Sequence, residues 1–186
     1  MKVWQKSLLA GTLIGMSLSS QAVTFNKVLL EQSQLSFVSK QMNVPVEGKF
    51  KEFTAKLNFD PAKTEAASAE LNIVLSSIDA GSNEANDEVK SKGWFNVQAF
   101  PTAKFVAKSV KSLGSDRFEV AGEMSIKGKT NPVTAPFTLK ITGKTGVIEG
   151  SFPLKRLQFN IGEGTWSDTD TVADEVQIRF KLVVSE

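Results

Sequence analysis

Thr102–Thr142 reads TAKFVAKSVKSLGSDRFEVAGEMSIKGKTNPVTAPFTLKIT, and the spacing of its apolar residues decides the fold. Ala103, Phe105, Ala107 and Ser109 share one parity. Phe118, Val120, Gly122, Met124 and Ile126 share the next, and Val133, Ala135, Phe137, Leu139 and Ile141 the third. The positions between, from Arg117, Glu119 and Glu123 to Thr134, Thr138 and Lys140, are mostly polar. A period of two turns one row to a buried face and the other to water, which is the pattern of half-buried strands. Gly114-Ser115-Asp116 and Gly128-Lys129-Thr130-Asn131-Pro132 carry turn chemistry: Gly supplies positive φ, Asn and Asp tolerate it, and Pro cannot donate to a ladder. The stretch predicts a three-stranded antiparallel meander, with function to be sought on its apolar face.

Upstream, an extended lead-in from Val23 precedes a strand over Gln34–Gln41 carrying Leu35 and Phe37. Met42-Asn43-Val44-Pro45 interrupts it, since Pro45 lacks an amide proton and pushes Val44 to an extended conformation. A long strand follows from Val46 to Asp60, in which the apolar parity changes from Val46, Gly48 and Phe50 to Phe53, Ala55, Leu57 and Phe59. A one-residue slip would turn a buried row outward, so either a bulge near Lys51-Glu52 absorbs it or two strands meet at a break. Asp60-Pro61 ends this segment, and Ala67, Ala69, Leu71, Ile73 and Leu75 form the next.

After Asp79-Ala80-Gly81 the alternation stops. Asn83–Lys92 has acids first (Glu84, Asp87, Glu88) and lysines last (Lys90, Lys92), with Gly93 just beyond. That order complements a helix dipole and places Gly93 as a C-terminal cap. Trp94, Phe95, Val97 and Phe100 follow ahead of Pro101, an apolar cluster expected to lie on the sheet as a plug or lid. Beyond the meander, Ile148, Gly150, Phe152 and Leu154 alternate, and Leu157, Phe159 and Ile161 continue with odd parity after a slip near Lys155-Arg156. A polar, acidic loop with Trp166 leads to a last strand through Val176, Ile178, Phe180, Leu182 and Val184. The expected fold is all-β: an antiparallel eight-stranded barrel with one short helix between the third and fourth strands. Closure of that number of strands removes the exposed edges.

Residues 1–22 have the form of a cleaved signal peptide: Lys2 and Lys6, an apolar run from Ser7 to Leu18, then Ser20-Gln21-Ala22. The run is shorter than the ~20 residues a membrane span needs. Residues 23–186 then form one exported domain, and with no Cys it has neither disulfides nor a lipoprotein anchor. Removing Lys2 and Lys6 brings Lys+Arg down from 22 to equal the 20 Asp+Glu. A neutral chain without a basic stripe argues against nucleic acid. The chain has no His, Cys or Tyr. That excludes Ser-His-Asp and Cys-His nucleophile systems and His or thiolate metal sites, so neither an enzyme nor a cofactor is expected.

Small residues (Gly48, Ala55, Ala69, Ala103, Ala107, Gly122, Ala135, Gly150) recur in the inward rows among the phenylalanines Phe50, Phe53, Phe105, Phe137, Phe152 and Phe180. Small beside large can interlock as a dry core, or the rows can wall a tunnel for one ligand.

The residues Ser39-Lys40-Gln41-Met42-Asn43-Val44-Pro45-Val46-Glu47-Gly48-Lys49-Phe50, Phe59-Asp60-Pro61, Trp94-Phe95-Asn96-Val97, Phe100-Pro101-Thr102-Ala103-Lys104-Phe105 and Ile126-Lys127-Gly128 carry a resemblance nearly end to end. Arg156, Gly162-Glu163-Gly164-Thr165-Trp166 and Asp174-Glu175-Val176 complete it. In their order and spacing the chain resembles the YceI-like family of bacterial periplasmic, lipocalin-like barrels, associated with polyisoprenoids and other long amphiphilic lipids. It departs from many relatives in having no histidine near Asn86–Lys92 and Gln158 where an acid often precedes the aromatic. The resemblance implies an elongated apolar ligand, such as a polyisoprenoid, an isoprenoid quinone or a fatty-acid derivative, its tail in the barrel. The candidate walls are Phe37, Phe50, Phe53, Leu57, Leu71, Ile73 and Phe105, then Gly122, Met124, Ala135, Phe137, Phe152, Phe159 and Phe180. The candidate mouth is Met42, Trp94, Phe95, Arg156 and Trp166, where Arg156 could meet a phosphate or carbonyl bidentately or lie in a surface salt bridge. Burying ~15–20 methylenes at ~0.8 kcal/mol each gives on the order of 12–16 kcal/mol gross. Binding costs of ~4–15 kcal/mol still leave micromolar or tighter affinity within reach.

Two rival classes remain. Asp168, Asp170, Asp174 and Glu175 are close in sequence, but lack the glycine-bearing loop of a calcium site. A filled barrel could instead serve contact with an envelope protein, and transient contact with a membrane fits either reading.

Overall fold

The computed structural model describes residues 23–186; residues 1–22, where the sequence leads one to expect a signal peptide, lie outside the described residues. The strands are β1 (Lys27–Val28), β2 (Gln34–Gln41), β3 (Val44–Phe50), β4 (Phe53–Asn58), β5 (Ser68–Val74), β6 (Ile78–Asp79), β7 (Thr102–Ser112), β8 (Arg117–Ile126), β9 (Lys129–Thr142), β10 (Thr145–Lys155) and β11 (Glu175–Ser185). The single α-helix among the described residues, α1 (Asn83–Lys90), lies between β6 and β7.

All ladders are antiparallel, and they run round a ring. β7 to β11 pair in sequence, β11 pairs β2, and β2 pairs β3. β3 and β4 are halves of one bent strand, as are β5 and β6: β4 pairs β5 while β3 pairs β6. Eleven strand segments thus replace the eight expected, because two of the eight are broken at a shared corner and β1 is added. Between the pairs Phe50↔Ile78 and Phe53↔Ile73 the second strand takes two residues more than the first. The 3-10 turn Leu75–Ser77 absorbs them, and it is pinned across the corner by Lys51 N–H to Ser77 O (3.2 Å) and Val74 N–H to Glu52 O (3.0 Å). The parity change at Lys51-Glu52 is therefore a break with a corner, and both apolar rows still face inward.

Four local expectations are corrected. In β7 a bulge between Ala107 and Ser109 sends Ser109 outward and brings Val110 against the core. The β8–β9 turn is two residues, Lys127 (φ 48°) and Gly128 (φ 74°), both left-handed as a tight hairpin of this twist requires; Lys129–Pro132 belong to β9. Arg156–Phe159 is a 3-10 turn closed by left-handed Asn160, where a strand was expected. The helix also ends differently, at Ser91 in an extended conformation.

The lower end of the barrel, below the turns at Gly114-Ser115 and Gly143, is packed solid. Phe59, Phe118 and Phe137 meet with ring centroids 5.3–5.8 Å apart. The lead-in completes this end: β1 pairs β11, and Phe25, fully buried, exchanges 2.9 Å backbone hydrogen bonds with Phe59. It bridges the splay between β4 and β11, a role the sequence reading did not assign.

Candidate functional site

Above the aromatic floor the lumen holds a cavity of about 580 Å³, within the usual range for small-molecule sites. Its walls are the inward rows. Phe37 and Phe50 come from β2 and β3, Leu57, Leu71 and Ile73 from the bent strands, and Phe105, Met124, Ala135, Phe137, Phe152 and Phe180 from β7 to β11. Of the other sequence candidates, Trp94, Phe95, Arg156 and Trp166 also line it.

Four candidates do not. Met42 is 69% exposed at the tip of the β2–β3 turn. Phe53 and Phe159 are buried in the core away from the cavity. Gly122 is covered: a Cβ there would lie 2.6 Å from Phe105 Cε2, so the volume its small size suggested belongs to the Phe105 ring. The same device recurs across the strands, with the Phe37 ring over its partner Gly48 and the Phe180 ring over its partner Gly150. At each of these glycines the missing side chain leaves the place that the end of the phenylalanine ring occupies.

Sequence reasoning missed the aliphatic wall, including Val46, Val110, Val133, Ile148, Leu154 and Ile178, although these share the parity of the aromatics or, for Val110, follow the bulge. It also missed Ala85 and Val89, four apart on α1, which put an apolar stripe of the helix on the cavity.

The upper end is closed over by α1 and the segment after it. Ser82 caps the helix, its hydroxyl accepting from Ala85 N–H at 3.2 Å. The Asn86 side-chain oxygen accepts from Ala80 N–H at 2.6 Å, and Phe95 N–H donates to Val89 O at 3.0 Å. Phe95 meets Phe50 edge-on at 6.2 Å. Trp94 packs on Trp166 at 5.6 Å, and its indole N–H donates to Glu88 Oε1 at 3.1 Å. Gly93 is not a helix cap; its carbonyl accepts from Gly162 and Glu163 N–H, tying the plug to the loop before β11.

Arg156 sits beneath this plug, 2% exposed, its guanidinium carbon 5.7 Å from the Trp94 ring centroid. All five of its N–H donors are spent on backbone carbonyls. Nε reaches Ala173 O, Nη1 reaches Ile161 O and Gly162 O, and Nη2 reaches Trp166 O and Val172 O, at 2.6–3.1 Å. Burial lowers its pKa and the neighbouring Asp174 carboxylate opposes the drop. Gly162, at φ +79°, leaves no room for a Cβ beside Arg156 Nη1. Arg156 therefore staples the loop of residues 161–174; it neither offers a free fork to a head group nor lies in a surface salt bridge.

The acids of that loop are spent separately rather than converging: Asp168 accepts from the Thr171 hydroxyl and from Asp170 N–H, which keep its pKa below the usual carboxylate value, Asp174 accepts from Leu157 N–H, and Glu163 pairs with Lys127. Among the described residues there is no cluster of three or more potential metal ligands.

An antiparallel barrel wrapped round an apolar cavity, with one end packed and the other capped by a helix and tryptophans, is a lipocalin-like architecture. Within that class the chain belongs to the family of the YceI-like domain, whose model matches residues 27–184. It is similar to a UPF0312 protein of Azotobacter vinelandii, 32% identical over 134 residues, covering 69% of this chain and 70% of that one. The crystal structure of Burkholderia cenocepacia BcnA superposes with a TM-score of 0.82 at 46% identity, over 84% of this chain and 99% of that one. A polyisoprenoid binding domain from Saccharophagus degradans, implicated in plant cell wall breakdown, shares the fold with a TM-score of 0.65 at 14% identity, over 88% of this chain and 98% of that one.

Proposed function

We propose that this protein is a periplasmic, non-catalytic binding protein for a long apolar or amphipathic molecule: a polyisoprenoid, an isoprenoid quinone or a fatty-acid derivative. Carriage, storage or sequestration of that molecule is its role. The observation that carries the reading is the lumen itself, about 580 Å³ walled by Phe, Leu, Ile, Val and Met side chains from every long strand. A methylene takes up about as much space as a water molecule, about 30 Å³, so the cavity suits a chain of on the order of 15–20 carbons. The Saccharophagus degradans neighbour, a polyisoprenoid binding domain on the same fold, supports the same ligand class. The absence of His, Cys and Tyr from the sequence supports a role in holding rather than transforming the molecule. Export to the periplasm is supported by the basic start, apolar run and Ser20-Gln21-Ala22 of the N-terminal segment.

Native mass spectrometry of protein purified from the cell envelope, followed by lipid extraction, tests this reading. A stoichiometric apolar molecule carried with the folded protein is the expected result. Protein that arrives without one and takes up neither a prenyl alcohol nor a fatty amide added in solution rules it out.

A further inference from the structure

Three charged residues line the cavity: Glu84, Glu88 and Arg156. Arg156 has no donor left, since its five N–H groups are held by backbone carbonyls. Glu84 and Glu88 stand one turn apart on exposed positions of α1, beside the Ala85 and Val89 stripe that faces the lumen. Its own backbone N–H and the Ser82 hydroxyl at the start of the helix lower the Glu84 pKa, and Glu88 Oε1 accepts from the Trp94 indole N–H. On β2 the polar cavity-lining groups at this end are neutral, Ser39 and Gln41. The covering loop, residues 162–174, carries Glu163, Asp168, Asp170 and Asp174 and no Lys or Arg. Lys127 is already engaged by Glu163 Oε2 (2.8 Å) and Asn160 O (2.6 Å). Lys90 and Lys92, at the end of the helix, do not line the cavity.

An anionic head group drawn to this end thus meets two carboxylates and, among the residues that line the cavity, no uncommitted cation; both carboxylates are exposed, so the repulsion acts through water and is screened by salt. A hydroxyl, amide or amine meets acceptors instead. We propose that Glu84 and Glu88 select the ligand by head-group charge, accepting uncharged or amine heads and rejecting phosphate and carboxylate heads. This rests on the reading that the lumen takes an apolar chain, and it adds repulsion against the wrong ligand to attraction for the right one.

Three probes with one tail separate the two ideas: geranylgeraniol, geranylgeranylamine and geranylgeranyl phosphate, titrated into delipidated full-length protein at low salt and followed by tryptophan fluorescence. The alcohol and amine are expected to bind, with the phosphate at least about 10-fold weaker and the gap narrowing as salt rises. In the double variant Glu84→Gln, Glu88→Gln, which keeps an acceptor for Trp94, the phosphate-to-alcohol ratio should fall to within about 3-fold. Equal affinity for phosphate and alcohol in the unaltered protein overturns the charge selection while leaving the lumen reading intact, as does a gap that survives the double substitution. Failure of all three probes to bind overturns both.

Discussion

The Phe105 ring lies across Gly122 on the neighbouring strand, so that a Cβ on Gly122 would sit 2.6 Å from Phe105 Cε2 and closer still to the Val106 carbonyl. Gly122 is thus the seat of an aromatic wall residue, and its lack of a side chain contributes no lumen volume of its own.

Gly122→Ala should therefore destabilise the barrel by about 1–3 kcal/mol, because Phe105 and the backbone behind it must shift. Without that clash, replacing a strand glycine would stabilise by about 0.5–1 kcal/mol through loss of unfolded-state freedom. Urea unfolding decides by sign: a variant more stable than the parent contradicts the packing described.

Ala135 is the opposite case, a buried small residue on the cavity wall. Ala135→Leu should lower affinity for geranylgeraniol at least about 10-fold while costing under about 1.5 kcal/mol of stability, since the added carbons enter the lumen. Unchanged affinity would show that the chain does not pass this point.

Arg156→Lys leaves at most three donors for five carbonyls. A loss of about 3–5 kcal/mol is expected, together with looser packing of the loop over residues 161–174. Hydrogen exchange across that loop is the direct readout. Normal stability with lost ligand affinity would return Arg156 to the head-group role expected from sequence.

Phe25→Ala should cost about 3–5 kcal/mol by emptying a fully buried site and releasing the bridge to Phe59. Calorimetry of the variant checks this, and a thermal midpoint within a degree of the parent would deny the lead-in its closing role.

The pH dependence follows from which groups can titrate. Asp79 is held below its ordinary value first by the Lys51 ammonium and then by Gly81 N–H; for Glu70 the causes are Asn72 and then Lys104. Glu84 and Asp168 are lowered by hydrogen bonds near their own turns. A carboxylate with a depressed folded pKa gives stability that is whole above its unfolded value, near 4, and is lost as pH falls through the folded value. With no His or Cys in the chain, the thermal midpoint should be flat from about pH 5.5 to 8 and decline below about pH 4.5. A step near pH 6.5 would contradict this.

Period-two alternation fixed the strands, because a half-buried strand leaves its signature in consecutive residues: β2 begins and ends where Leu35 and Phe37 predicted, and the inward rows of β8 to β11 are those read from parity except at Ile141, which is 46% exposed near the end of β9 where the sheet runs out past the core. Gly and Pro chemistry located the turns, though the β8–β9 hairpin is tighter than Gly128–Pro132 suggested, since Lys127 itself adopts positive φ. The aromatic plug after α1 was also legible, as four large apolar residues ahead of Pro101 have nowhere to go but onto the sheet. What alternation cannot encode is the partner across the barrel. Whether Gly122 opens space depends on the Phe105 ring of the neighbouring strand, whether Arg156 is free depends on carbonyls from residues 161–173, and whether the lead-in matters depends on Phe59. These are long-range packing and hydrogen-bond relations, and only the closed sheet brings their members together.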